Sequence, residues 1–330
     1  MRSITITERQ REAIGQVIVG LVLFGAIVLS GCDAPGERRT SGGEEATAVA
    51  TARVTPPAET VPAVAAPEPE IPRVVTYEEA ELAYRDGRYD EAARLFSRYV
   101  EIKPGNPFGH YMLGLSGWKS RDHAGAEAAF ERALALDPDH VKSHLNLVRV
   151  LLEVGRPEDA LVRADTALAL DPLNNVAHRL RARALDALDR VDEAIDEYRQ
   201  AIALDETDVW SMNNLGVLYI QMGWSEEALY PLARAVALDT TQTVFFNNLG
   251  MALEHTGRWA RAADVYRLAV GVDSTHARAI ANLARVDGRP DDALVPPVDL
   301  ALLAQEFAGW IGEWKRPEVA VARQEEAGLP

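Results

Sequence analysis

Small residues recur along most of this chain at a constant interval. Ala126, Ala160, Ala194, Ala228 and Ala262 are evenly spaced, and Gly216 and Gly250 are separated by the same 250 − 216 = 34 residues. Residues 210–239 show one interval in full, which reads as two helices with a glycine between them. A period of this length is typical of helical hairpins that stack in tandem, because one hairpin cannot bury its apolar face alone. The pattern therefore predicts an all-α solenoid.

The register set on Gly216 divides the chain into six units, which cover residues 73–106, 107–140, 141–174, 175–208, 209–242 and 243–276. The eighth position of a unit is small in five of the six units, and the twentieth is alanine in all six. Small residues at two fixed positions let antiparallel helices approach closely, since bulk there would push the axes apart. Large residues are expected to fill the gap between units, at Phe96, Phe130, Tyr198, Leu232 and Tyr266.

The same units carry signals for where each helix ends. Glycine suits a left-handed cap after the first helix, at Gly87, Gly155, Gly223 and Gly257. Proline stops the second helix, because the residue before it is pushed out of the helical region, at Pro104, Pro138 and Pro172. These residues and spacings resemble the tetratricopeptide repeat family over residues 73–290. The resemblance implies a right-handed superhelix of about six repeats plus a partial seventh, with a concave groove that binds peptides or proteins.

The seventh unit begins normally at Ala277 but is expected to have a clipped first helix. Its residues 288–294 echo residues 155–161 at an offset of 288 − 155 = 133, three short of four periods, and Pro296 and Pro297 then break the chain. Asp299 can begin a last helix with one apolar stripe, formed by Leu300, Leu303, Phe307, Trp310 and Trp314. We interpret residues 291–330 as a helix that caps the last repeat, followed by a frayed tail. The alternative is a helix that docks a partner.

The N-terminal residues are typical of a targeting signal rather than of a folded element. Arginines precede an uncharged apolar run of residues 17–29, and Leu29-Ser30-Gly31 leads into Cys32, the single cysteine. This resembles the bacterial lipoprotein signal, which implies cleavage after residue 31 and lipidation of Cys32. Residues 32–72 hold seven prolines and no aromatic residue, so they are expected to form a disordered tether. The predicted location is the cell envelope, lipid-anchored and facing the periplasm or the exterior; which membrane is involved stays open.

Charge and missing motifs exclude several functions. A net charge of −16 should repel nucleic acid. The chain has no Gly-rich phosphate loop, no Gly-x-Ser-x-Gly elbow and no His-Glu-x-x-His pair, so we expect a non-catalytic protein without a cofactor. The fourth position holds histidine in three successive units, at His110, His144 and His178. Equivalent helices lie about 10 Å apart, too far to share one ion, so packing histidines are favoured over a metal site.

Candidate ligand-binding residues come from positions that would form rows along the superhelix. Asparagine stands at the sixth position of four units and beside two of them, at Asn146, Asn214, Asn248, Asn282, Asn213 and Asn247. The amide has both donors and acceptors and can pair with an extended peptide backbone, as in the asparagine ladder of the O-linked N-acetylglucosamine transferase family, which this row resembles. The alternative is local bonding between helices.

By family geometry the groove is also lined by aromatic and basic residues, among them Tyr111, Trp118, Trp210, Lys142, Arg149, Arg179 and Arg183. A basic centre on an acidic protein favours a ligand segment with Asp, Glu or a C-terminal carboxylate. The alternative is packing between the arms of a closed superhelix. We therefore expect a membrane-tethered scaffold that binds extended segments of a partner in its groove. The competing hypothesis is a pilus or secretion assembly lipoprotein that docks through its C-terminal helix or convex face. The oligomeric state stays open.

Overall fold

The structure is a computed structural model that describes residues 75–315. The predicted signal peptide (1–31), Cys32, the tether up to residue 72, and residues 316–330 of the tail lie outside the described residues. The part that is described contains fourteen helices and no strand. The all-α fold class is therefore confirmed.

Twelve of these helices form six consecutive hairpins, one for each predicted unit. The first helices are α1 (Tyr77–Arg85), α3 (Pro107–Lys119), α5 (Val141–Glu153), α7 (Asn175–Ala187), α9 (Val209–Gln221) and α11 (Thr243–His255). The second helices are α2 (Tyr89–Ile102), α4 (His123–Leu136), α6 (Pro157–Leu170), α8 (Val191–Leu204), α10 (Ser225–Leu238) and α12 (Trp259–Val272). The seventh unit contributes α13 (Ala277–Val286), and α14 (Leu300–Trp314) belongs to no unit.

The predicted turn residues have the expected backbone conformation. After the first helices, φ is 77° at Gly87, 74° at Gly155, 77° at Gly223 and 78° at Gly257. The second and fourth units make the same turn without glycine, at Arg121 (φ 66°) and Asp189 (φ 59°). The turn geometry is thus a property of the repeat, and two units adopt it at a cost of roughly 1–2 kcal/mol each.

The small positions bring the two helices of each hairpin together. A Cβ added to Gly216 would lie 2.4 Å from the Leu232 side chain, and one added to Gly250 would lie 2.5 Å from Tyr266. Leu232 and Tyr266 therefore fill space inside their own hairpin, where the glycine of the first helix leaves room for them directly opposite, whereas we expected the large residues to fill the gap between units. The alanines at the twentieth position are all fully buried: Ala92, Ala126, Ala160, Ala194, Ala228 and Ala262.

The seventh unit is clipped as expected. Helix α13 has ten residues, whereas α11 has thirteen. Residues 288–294 resemble the start of a second helix but form none, because Pro296 and Pro297 would interrupt it within two turns. The segment instead crosses the turn between α11 and α12. There the Asp292 backbone N–H donates to the Gly257 carbonyl (2.9 Å), and the Asp291 carboxylate accepts from the Ala260 N–H (2.7 Å).

Helix α14 folds back along the array. It packs mainly on α10 and less on α8, the second helices of the fifth and fourth units, rather than on the last repeat as we expected. Phe307 and Ile311 are fully buried in this contact, and Trp310 stacks on Tyr230 with ring centroids 4.4 Å apart. The crossing of the α11–α12 turn explains this course, because it directs the chain to the side of the second helices. None of the described helices is long and apolar enough to cross a membrane.

Candidate functional site: a basic pocket on the first helices

The first helices form one side of the array, which we call the groove side. A pocket of about 400 Å³ opens there between the third, fourth and fifth units. Its lining residues are Arg149, Arg179, Leu180, Arg183, Trp210 and Asn214. All but the leucine were predicted as groove residues from their positions in the repeat. The structure thus brings together three arginines, an indole and an amide from α5, α7 and α9.

Arg149 is a largely buried cation that forms no hydrogen bond or ion pair with a carboxylate of the described residues. Its Nη1 donates to the neutral Asn146 Oδ1 (2.6 Å), and its guanidinium lies 6.0 Å from the centroid of the Trp118 ring. Burial lowers the pKa of Arg149, and the positive charges of Arg179 and Arg183 lower it further. An arginine nevertheless stays protonated in proteins. An anion placed among the three guanidinium groups would therefore relieve both the desolvation and the mutual repulsion.

Arg179 and Arg183 differ although they lie one turn apart on α7. Arg179 forms an ion pair with Asp208, whose side chain is only 1% exposed. Asp208 is the N-cap of α9 and also accepts from Ser211 Oγ (2.6 Å), so Arg179 is held in place by the residue at which the next helix begins. Arg183 is exposed, and within residues 75–315 no hydrogen bond or ion pair fixes its guanidinium. Within the described range, the pocket thus combines one cation held by an ion pair with two that form none.

The aromatic residues lie on both sides of the arginines. Trp210 is 45% exposed and contacts Phe245 edge to face, with centroids 5.0 Å apart. On the other side, Trp118 Nε1 donates to the Glu153 carboxylate (3.0 Å). Exposed indoles beside arginine are the usual anchors of protein interfaces. Trp210 is therefore the side chain of this pocket that is best placed to cover a bound segment.

Two further residues that were predicted to line the groove, Tyr111 and Lys142, do not line this pocket. The Tyr111 hydroxyl accepts from Asn146 Nδ2 (3.4 Å), which connects α3 to α5. Lys142 is exposed and does not line the pocket; only its backbone carbonyl is engaged, by Asn146 Nδ2 (2.9 Å). Asn146 is buried, and its amide uses both ends within the chain. It therefore supports Arg149 from behind and has little surface for a ligand.

The other five asparagines bond to one another in a single chain across three units. Asn282 Nδ2 donates to Asn247 Oδ1 (2.9 Å), and Asn248 Nδ2 donates to Asn213 Oδ1 (2.9 Å). Longer contacts join the neighbours, from Asn247 to Asn248 (3.4 Å) and from Asn213 to Asn214 (3.3 Å). We call these five residues the amide chain. It shows the local bonding that was the alternative to peptide binding.

Exposure separates the amide chain into two groups. Asn213 and Asn247 are 4% exposed, whereas Asn214, Asn248 and Asn282 are half-buried. Each amide has two donor hydrogens and two acceptor lone pairs, so the half-buried ones keep hydrogen-bonding capacity beyond the chain. Peptide binding by the asparagines stays a prediction, and only these three are placed for it.

The three histidines repeat one packing contact. Nε2 of His110, His144 and His178 lies 3.0, 2.9 and 3.1 Å from the carbonyl oxygen of the proline six residues earlier. A carbonyl can only accept, so Nε2 bears the proton and the ring ties each first helix to the preceding turn. Among residues 75–315, no group of three His, Cys, Asp or Glu side chains could hold a metal ion.

Sequence reasoning missed a second pocket, at the N-terminal end of the groove side. It encloses about 570 Å³ between the first and second units. Tyr77, Tyr99, Ile102 and Phe108 form its apolar walls, and the Lys103 ammonium lies 5.4 Å from the Tyr99 ring centroid. Tyr77 and Phe108 could be found from the repeat register. Tyr99 and Ile102 could not, because they belong to a second helix that reaches the groove side only at this junction.

The repeats match sequence profiles of a known family. Profiles described as tetratricopeptide repeat match residues 75–107 and 118–184, and one described as TPR repeat matches residues 182–223. No curated protein matches this chain in sequence.

Solved structures share the fold. TTC0263, a TPR protein of Thermus thermophilus, is 20% identical, with 55% of this chain and 98% of that chain aligned at a TM-score of 0.50. PilW, described as a widely conserved type IV pilus biogenesis factor, is 16% identical over 62% of this chain and 96% of its own, with a TM-score of 0.56. The APC/C hetero-tetramer Cut9-Hcn1 aligns at 17% identity and a TM-score of 0.56, over 63% of this chain and 41% of that one. At these identities the likeness establishes the fold alone.

Proposed function

We propose that this chain, a tetratricopeptide-repeat protein, is a non-catalytic scaffold that binds an acidic segment of a partner protein on its groove side. The observation that supports this best is the basic pocket, in which Arg149 and Arg183 have no carboxylate partner within the described residues. Charge-assisted hydrogen bonds from arginine to carboxylate are strong and frequently bidentate. A side-chain carboxylate or a C-terminal carboxylate therefore fits the pocket, and Trp210 can pack on the residue beside it.

The rest of the scaffold proposal concerns location. The sequence of residues 1–32 supports a lipid-anchored protein of the bacterial cell envelope, with the repeats on the periplasmic or outer side. Metabolic labelling tests this directly: a radiolabelled fatty acid should be incorporated into the wild-type chain and not into Cys32→Ser. Label that persists in Cys32→Ser would rule out lipidation at this residue.

The binding proposal is tested with a pull-down from detergent-solubilised envelopes. The bait is the wild-type chain, the double variant Arg149→Ala/Arg183→Ala, or the control Arg94→Ala/Arg132→Ala. The control removes the same charge from exposed arginines on the second helices α2 and α4. A partner that is retained by wild type and control but lost with the pocket variant supports the proposal. A partner retained by all three baits would exclude the pocket as its binding site.

The competing hypothesis, docking through the C-terminal helix, has less support. Phe307 and Ile311 are fully buried against α8 and α10, and Trp310 lies on Tyr230. The apolar stripe that a partner would need is therefore engaged within the chain.

A further inference from the structure

The two ends of the repeat array each expose a residue at a position, the tenth or the eighth of a unit, that is buried in all the other units. The tenth position of a unit is 0–2% exposed in Ser116, Val150, Ala184, Leu218, Ala252 and Val286. Its counterpart in the first unit, Leu82, is 55% exposed. The described part of the chain has no helix before α1, so nothing there covers this leucine. The N-terminal end of the array therefore presents a protruding apolar side chain.

The other end leaves two positions of its last repeat helix uncovered, at Ile280 and Ala284, and we call the uncovered surface there the recess. The fourth and eighth positions are buried in the fifth unit (Met212 and Gly216) and in the sixth (Phe246 and Gly250). In the seventh unit they are Ile280, which is 43% exposed, and Ala284, which is also exposed.

The recess exists because the seventh unit lacks a second helix. In the second, fifth and sixth units a large residue of the second helix lies directly over the eighth position, as Phe130 does over Gly114, Leu232 over Gly216 and Tyr266 over Gly250. In the seventh unit the chain turns away after Val286, and α14 packs on α10 and α8 instead. Ala284 therefore lacks the large residue that the fold places opposite this position elsewhere.

The two ends have opposite charges. Helix α1 carries Glu78, Glu79 and Glu81 against one arginine, Arg85. Helix α13 carries Arg278 and Arg285 and no acidic residue. Arg285 is bonded to Glu254, but half of its side chain remains exposed, and Arg278 has no partner within the described residues. Two like ends would therefore repel each other, whereas unlike ends attract.

We infer that these ends bind each other between copies of this chain, head to tail. Leu82 of one copy fills the recess over Ala284 and Ile280 of the next, and the glutamates of α1 face the arginines of α13. Such a contact is heterologous, so it repeats and produces a ring or a filament rather than a two-fold dimer. One helix face on each side is smaller than the roughly 800 Å² per partner of a standard interface, so the association is weak in dilute solution.

Disulfide trapping tests the geometry, because it detects weak contacts and reports which ends meet. The full chain in mild detergent carries Cys32→Ser in every variant, so that the introduced thiol is the only one. Leu82→Cys with one affinity tag is mixed with Ala284→Cys with another under mild oxidation. The mixed disulfide should exceed either like-with-like disulfide at least five-fold. The control partner is Ala135→Cys, an exposed alanine on α4, which should give only background.

Charge reversal provides the second readout. Arg278→Glu in the Ala284→Cys chain should lower the yield of mixed disulfide about five-fold, and Glu78→Arg in the Leu82→Cys chain should restore it. Both residues are exposed, and circular dichroism checks that the variants stay helical. A predominance of like-with-like disulfides would overturn the head-to-tail contact, as would a yield equal to the Ala135→Cys control. Trapping of Ala284→Cys by a different protein in native membranes would assign the recess to that partner and overturn it too.

Discussion

The middle and the C-terminal end of the groove side differ in how their polar side chains are paired. Around the third to fifth units, Arg149 and Arg183 form no ion pair with any carboxylate of residues 75–315. From the fifth to the seventh unit, the asparagines of the amide chain are hydrogen-bonded to one another. A satisfied buried network stabilises the fold, whereas an unsatisfied cluster of charge gains by binding a ligand. Under the proposed function, the middle binds the partner segment, whereas the amide chain holds neighbouring units together.

The largest effect is expected from Arg179→Ala, which affects both properties. It leaves Asp208, with its 1% exposed carboxylate, without a cation. The free energy of unfolding should fall by about 3 kcal/mol, since breaking a buried pair strands a charge. Urea titration followed by circular dichroism measures it. A loss below about 1 kcal/mol would mean that Ser211 and water suffice for Asp208.

Asn247→Ala should lower stability by about 2 kcal/mol, because it leaves Asn282 and Asn248 each with an unpaired polar group. Partner retention in the pull-down should not change, as the basic pocket is untouched. If a folded Asn247→Ala variant lost the partner, part of the ligand site would lie at the C-terminal end of the array. That result would contradict the separation of binding and stability between the two regions.

Arg183→Ala should have the opposite effects: little change in stability and a clear loss of partner affinity. The side chain is exposed and forms no hydrogen bond within the described residues, so stability should change by less than about 0.5 kcal/mol. Affinity for an acidic partner segment should fall about ten-fold, equivalent to about 1.4 kcal/mol. Fluorescence anisotropy with the acidic segment identified in the pull-down measures this, and Arg132→Ala is the matched control.

The smallest effect is expected at Asn214, where the two regions meet. It lines the basic pocket and also accepts from Asn213 at the end of the amide chain. Asn214→Ala should cost about 1 kcal/mol of stability, since it loses the long contact from Asn213 and the contact with the Tyr198 hydroxyl, while its own side chain is only half-buried. A two- to three-fold loss of affinity should accompany it. No change in affinity would limit the ligand site to the arginines and Trp210.

The repeat register predicted most of the fold and part of the site. The 34-residue period placed the hairpins and brought Arg149, Arg179, Arg183, Trp210 and Asn214 to one side, and the structure collects these residues in one pocket. The period could not show which polar groups pair with each other. Asn146 and Asn248 share a repeat position, yet one backs an arginine and the other joins the amide chain, because their neighbours differ.

The position of α14 could not be predicted from the sequence, for a different reason. Its amphipathic stripe specified that one face is buried, but not the surface that buries it. That surface is reached because residues 287–299 cross the turn at Gly257, after which α14 contacts units that are not adjacent to it in sequence, as Trp310 contacts Tyr230 of the fifth unit. The repeat period relates each unit to its direct neighbours, so it has no signal for such a contact.

The folded-back helix also changes how the array should unfold. Repeat arrays behave approximately as a row of neighbours that can open one by one from either end. Helix α14 joins the fourth and fifth units directly, and the segment before it is fastened to the sixth. The fourth, fifth and sixth units are therefore linked by α14 and the segment before it, and we expect them to unfold as one cooperative block. Among the described helices, the first three units contact only their nearest neighbours. Under tension or heat, fraying should start at α1 and stop at the block.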